Sequence, residues 1–131
     1  MILDTNAYSA LVVNAPQLVD LLAHDTRIAL PLPVIAELRS GFLGGNRPVE
    51  NADTLSNFLA QDSVDILVPS ADTTHRYAQL QHYAKSRGRI LSNNDIWIAA
   101  LAQEDGDCLI TYDRDFAIFQ DIFDDKLLVL S

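Results

Sequence analysis

The chain has 131 residues, 49% hydrophobic and 21% charged, a balance that fits one globular domain and excludes disorder. Nine Lys and Arg against eighteen Asp and Glu leave a net charge of −9, which argues against gripping nucleic acid by bulk attraction. The single cysteine excludes an internal disulfide and suits a reducing cytoplasm. No apolar run approaches the roughly 18 residues of a membrane span, and Met1-Ile2-Leu3 meets an aspartate with no signal-peptide pattern.

In chain order, Met1–Leu3 predicts a short strand, stopped by Asp4-Thr5-Asn6, three residues that cap helices well. Short helices follow over Ala7–Val13 and Pro16–Ala23, with Pro16 suited to a first turn. A second strand over Arg27–Leu30 is closed by Pro31 and Pro33, and a helix then runs from Pro33 to Gly44-Gly45. Val49–Ala60 predicts a further helix, Val64–Val68 a third strand, and Ala71–Lys85 a long helix stopped by Gly88. Asp95 opens the apolar run Ile-Trp-Ile-Ala-Ala-Leu-Ala, which predicts a buried helix through Gln103. Cys108–Thr111 and Leu127–Leu130 complete the strands, with a helical turn over Asp115–Phe119 between them. Strands alternating with helices predict a single α/β domain with a mainly parallel, twisted sheet between helices. In that architecture sites form at the carboxyl ends of the strands.

The acidic residues are fifteen Asp and only three Glu. Asp favours turns, caps and strand ends, whereas a surface made acidic for solubility has no reason to avoid Glu. Asp4 directly follows the first strand, Asp113 and Asp115 follow Cys108–Thr111, Asp95 starts the buried helix, and Glu37 lies near an apolar helix face. Singly, each has a structural reading. Asp4 can be a cap, Ser92-x-x-Asp95 a capping box, Asp113 and Asp115 turn residues, and Glu37 a partner of Arg39. Together, four segments bring carboxylates to one sheet edge. Two such charges about 4 Å apart repel by roughly 4 kcal/mol at an effective dielectric near 20. A hard divalent cation relieves that repulsion, and oxygen donors without His or Cys select Mg²⁺ or Mn²⁺. Cys108 predicts a core thiol. His24, His75 and His82 lack metal-ligand spacing, and no glycine loop precedes a helix to cradle phosphate.

Four ordered stretches resemble the PIN-domain ribonucleases, in particular the VapC-like toxins of bacterial toxin–antitoxin pairs. They are Ile2-Leu3-Asp4-Thr5-Asn6, Val34-Ile35-Ala36-Glu37-Leu38-Arg39-Ser40-Gly41, Asn94-Asp95-Ile96-Trp97-Ile98-Ala99-Ala100 and Leu109-Ile110-Thr111-Tyr112-Asp113-Arg114-Asp115-Phe116. The resemblance implies a PIN-like three-layer fold and Mg²⁺ or Mn²⁺ held by Asp4, Glu37, Asp95 and Asp113, with Asp115 assisting through a water. It also implies that Thr5, Asn6 and Thr111 orient the carboxylates, that a metal-activated water attacks RNA to leave a 3′-hydroxyl and a 5′-phosphate, and that no protein nucleophile is used. A homodimer and a cognate antitoxin partner are implied as well. Given the acidic total, RNA would be held by a local basic rim drawn from Arg39, Arg47, Lys85, Arg87, Arg89 and Arg114, of which Lys85-x-Arg87-x-Arg89 is the densest part.

Two other acidic α/β classes serve as rivals. A haloacid-dehalogenase-like phosphohydrolase wants a second Asp two residues after the first, and that position is Asn6. A receiver-like signalling module wants an acidic pair after the first strand and a Lys after a late one, whereas the only lysines are Lys85 and Lys126.

Overall fold

Five short strands carry the apolar segments of the sequence into one parallel sheet in the computed structural model, which describes residues 1–24 and 27–131. They are β1 (Ile2–Leu3), β2 (Ile28–Pro31), β3 (Val64–Leu67), β4 (Leu109–Thr111) and β5 (Leu127–Val129). The order is β3-β2-β1-β4-β5, with Ile2 in register with both Ala29 and Leu109, and Leu109 in register with Leu127. Ile2, Leu3, Ala29, Leu30, Leu109 and Ile110 are fully buried, as parallel strands covered on both faces must be.

The order has a functional consequence. From β1 the chain grows outward through β2 to β3, and then returns to the other side of β1 to lay down β4 and β5. The topological switch therefore falls between β1 and β4. In open parallel sheets the crevice lies at such a point, outside the carboxyl ends of the strands. Leu3 and Thr111 end those two strands, so the residues directly after them face the crevice.

Among the described residues, seven α-helices flank the sheet: α1 (Thr5–Val12), α2 (Pro16–Leu22), α3 (Leu32–Leu43), α4 (Pro48–Leu59), α5 (Thr73–Ser86), α6 (Asn93–Asp105) and α7 (Gln120–Phe123). A 3₁₀ segment over Arg114–Phe119 places Phe116 and Phe119 in the core. The helix α6 is the most enclosed, with Ile96 and Ile98–Ala102 all buried, and it packs against α5 and α3. Such all-round burial requires residues that are apolar on every face, which the Ala-rich run supplies. Gly106 ends α6 in the left-handed region at φ 90°, where a side chain would be strained.

Several boundaries differ from the sequence expectation for physical reasons. Of the three capping candidates, Asp4 alone caps, while Thr5 and Asn6 lie inside α1. Pro31 belongs to β2, in register with Leu67, and its φ of −60° already suits the helix that begins at Leu32. The α5 start moves to Thr73 because the Ser70 N–H donates to Thr73 Oγ1 at 2.9 Å, closing a turn ahead of it. Cys108 sits just before β4, half-buried, with burial first among the causes that push its thiol up. The four-residue α7 is too short to show a helical period, so no sequence pattern announces it.

The opposite end of the sheet is held by charge. Arg27 donates to both oxygens of Asp105, at 2.8 and 2.9 Å, and to Asp65 at 2.8 Å. The amine of Met1 meets Asp107 at 2.8 Å. Some of the negative charge thus closes the amino-terminal edge, away from the crevice.

Candidate active site

Asp4 leaves β1 in extended backbone, φ −80° and ψ −177°, and its Oδ1 accepts the N–H of Ala7 at 2.9 Å. This ordinary helix cap fixes the carboxylate at the crevice floor, where only 4% of the residue is exposed. Its Oδ2 accepts the hydroxyl of Thr111, the fully buried last residue of β4. Thr111 Oγ1 in turn accepts the N–H of Asp113 at 2.9 Å, and Asp113 Oδ1 accepts the N–H of Asp115 at 2.9 Å. One threonine therefore couples the end of β1 to the loop that carries two further carboxylates.

Glu37 comes in from the middle of α3, half-buried, with both oxygens engaged. Thr5 Oγ1 donates to Oε2 at 2.8 Å, and Asn94 Nδ2 donates to Oε1 at 2.9 Å. Helices α1, α3 and α6 meet at this one side chain. The next residue after Asn94 is Asp95, whose N–H donates to the capping Ser92 Oγ at 3.2 Å. The Ser92 cap expected from sequence is present, and Glu37 pairs with Thr5 and Asn94 in place of Arg39.

The electrostatics show that these carboxylates act on one another. Burial pushes the Asp95 carboxyl up to about 6, with repulsion from Asp113, Glu37 and Asp115 adding to it and Ser92 partly offsetting it. Burial likewise raises Asp4, reinforced by Asp113 and Glu37 against the hydrogen bonds from Thr111 and Ala7. Carboxylates pushed toward protonation by burial and by like charge in a crevice mark a site that favours a positive ligand. Among the described residues no three His, Cys, Asp or Glu side chains stand as a ready-made ligand cluster. Asp4, Glu37 and Asp113 are each turned toward hydrogen-bond partners of their own, so enclosing a cation calls for side-chain rotation. The donor set fits a hard cation, since it is all oxygen with no imidazole or thiolate among these five residues.

The remaining candidates separate. Thr5 and Thr111 touch the carboxylates, whereas Asn6 is exposed and makes no hydrogen bond to any of the five. Arg39 and Arg114 are exposed, two residues after Glu37 and one after Asp113. Arg47 is exposed and 3.8 Å from Glu50. Arg87 lies over the Tyr83 ring at 3.5 Å, while Arg89 and Lys85 line a groove between α5 and the segment leading to α6. Sequence reasoning missed Asn94 as a partner of Glu37. Its only signal was its place directly before Asp95 in a helix's first turn.

A parallel sheet with five acidic side chains at its switch point defines an α/β protein built around a carboxylate site. The chain belongs to the PIN-domain family, whose model matches residues 1–121. It is similar to ribonuclease VapC5 from Mycobacterium tuberculosis, 32% identical over 116 residues that cover 88% of this chain and 84% of that one. The fold is similar to the crystal structure of VapBC2 from Rickettsia felis bound to a promoter DNA fragment (TM-score 0.80, 28% identity, 99% of this chain and 98% of that one). VapBC-1 from nontypeable Haemophilus influenzae is also similar (TM-score 0.79, 26% identity, 98% and 96% covered). No helix among the described residues is long and apolar enough to cross a membrane.

Proposed function

We propose that this protein is a metal-dependent endoribonuclease and the toxin of a toxin–antitoxin pair, acting as a homodimer restrained by a cognate antitoxin. The observation that carries this reading is the convergence of Asp4, Glu37, Asp95 and Asp113 at the β1–β4 switch point, where Asp4 and Asp95 resist ionisation. Similarity to proteins named ribonuclease VapC and to VapBC complexes supports the substrate class and the partner.

Asp4, Glu37, Asp95 and Asp113 would hold Mg²⁺ or Mn²⁺, with Asp115 reaching it through a water. When bound, the cation would activate water and stabilise the charge that develops as an RNA phosphodiester bond breaks. The chain's own residues position the parts. Thr111 fixes Asp4 and the Asp113 loop together, Thr5 and Asn94 fix both oxygens of Glu37, and Ser92 fixes the first turn of α6. Arg39, Arg87, Arg89 and Arg114 supply cations for the RNA backbone around this acidic centre. The phosphohydrolase and receiver alternatives are not favoured, because neither Lys85 nor Lys126 is among the groups that act on Asp4.

The test is cleavage of single-stranded RNA by the purified chain with Mg²⁺ or Mn²⁺ present. Cleavage that is abolished by EDTA and restored by the metal supports the reading. Full activity in EDTA overturns the metal dependence, and absence of cleavage under both metals overturns the nuclease.

A further inference from the structure

In a chain with twice as many acids as bases, one groove reverses the balance. It lies between α5 and the segment entering α6, has a volume of about 150 Å³, and presents Lys85, Arg89, Gln81 and Asn93 over a floor that includes Leu91 and Ile96. Two of the residues lining it are cations and none is an acid. Asn93 accepts a hydrogen bond from the Tyr77 hydroxyl on its Oδ1 at 2.9 Å, which orients its amide N–H₂ group and leaves that group as donor. Every polar side chain named here can thus donate to an anion. Arg87, whose guanidinium stacks on Tyr83, is not part of the groove.

The groove adjoins the carboxylate site through one peptide bond. Asn93 lines the groove, and the next residue, Asn94, holds Glu37. Small-molecule sites usually occupy roughly 300–1,000 Å³, so this groove is too small to enclose a separate metabolite and suits part of a longer chain crossing it. We infer that the Lys85–Arg89–Asn93 groove binds the backbone phosphate of a nucleotide flanking the scissile bond of single-stranded RNA. Lys85 and Arg89 neutralise the phosphate, Asn93 and Gln81 donate to it or to the ribose, and the exposed Ile90 with Leu91 gives the sugar and base an apolar surface. An acidic protein segment is the competing occupant. RNA is favoured because Asn93 of the groove directly precedes Asn94, which holds Glu37, so groove and acidic centre share the first turn of α6.

This inference rests on the nuclease reading, and the experiment separates the two. Steady-state cleavage of a short fluorescent single-stranded RNA is measured for the wild type, for Lys85→Gln/Arg89→Gln, and for Lys126→Gln, which removes a cation near Asp107 on the far edge. The double variant is expected to raise KM about tenfold with kcat within about twofold. It should also flatten the dependence of log KM on log salt by roughly 0.7 for each phosphate that is no longer neutralised. Lys126→Gln is expected to keep the wild-type KM and salt slope. No cleavage by the wild type overturns the nuclease reading. Cleavage with an unchanged KM and slope in the double variant overturns the groove assignment alone, as does a rise in KM that Lys126→Gln reproduces. If the double variant keeps its KM but loses capture of a co-expressed antitoxin, the groove belongs to a protein segment and the RNA proposal fails.

Discussion

The hydroxyl of Thr111 bonds the inner oxygen of Asp4, joining the carboxyl ends of β4 and β1 at the point where the sheet changes direction. Thr111 also accepts the N–H of Asp113, so one buried side chain sets the spacing of two acidic segments. Thr111→Val keeps the shape and removes both functions. It is expected to destabilise the fold by about 1–3 kcal/mol, because a buried donor and acceptor lose their partner, and to weaken Mg²⁺ or Mn²⁺ binding roughly 10–100-fold. Thr111→Ser should recover most of both. Chemical denaturation and metal titration of the three proteins check this.

Asp95 illustrates a trade of stability for function. Its carboxyl is raised to about 6, chiefly by burial. For an acid raised on folding, the native state binds more protons than the unfolded chain between the ordinary carboxyl value and about 6. Stability therefore rises as pH falls through that window, and the cost of the charge is fully present above it. Asp95→Asn is accordingly expected to be more stable than the wild type by about 1–2 kcal/mol at pH 7.5, less than the full shift would give because the half-buried side chain is screened by solvent, with the gain gone by about pH 4. The same variant should lose RNA cleavage. Melting curves at several pH values test the sign.

Divalent cation should relieve the same cost. At about a hundredfold excess over Kd, Mg²⁺ or Mn²⁺ is expected to stabilise the folded protein by about 3 kcal/mol, raising Tm by several degrees. The shift should shrink toward pH 5, where protons compete for Asp95. Equal Tm shifts at pH 5 and 7.5 would contradict a role for the raised carboxyls in binding.

Arg27 makes a contrasting prediction at the other end of the sheet. Its hydrogen bonds and charge hold the Asp105 carboxyl below the usual carboxylate range. For a lowered acid, the stabilisation is present above the unfolded value and disappears as pH falls through the folded one. Arg27→Ala is expected to cost about 1–3 kcal/mol at pH 7, less than a fully buried pair because Arg27 is 34% exposed, with the difference fading near pH 3. Cleavage per folded molecule should stay unchanged.

Much of this was legible because local chemistry and global fold agree. Strand, cap and buried-helix signals placed Asp4, Asp95 and Asp113 at element starts, where backbone geometry alone sends them to one edge. Glu37 was visible as an acid on an apolar helix. Its partner Asn94 was not, since it is 57 positions away in sequence and only packing of α6 on α3 brings them together. The Arg27 cluster stayed hidden for the same reason, because its bonds to Asp65 and Asp105 span 38 and 78 positions. Spacing also left Arg87 and Arg89 alike, and the Tyr83 ring separates them.

The most direct measurement of the central claim is RNA cleavage by wild type and by Asp95→Asn, each in Mn²⁺ and in EDTA, with folding checked by melting. The account predicts cleavage by the wild type in Mn²⁺ only, and none by a variant that melts at or above the wild-type temperature. Cleavage by folded Asp95→Asn at the wild-type rate, or cleavage by the wild type in EDTA, would contradict it.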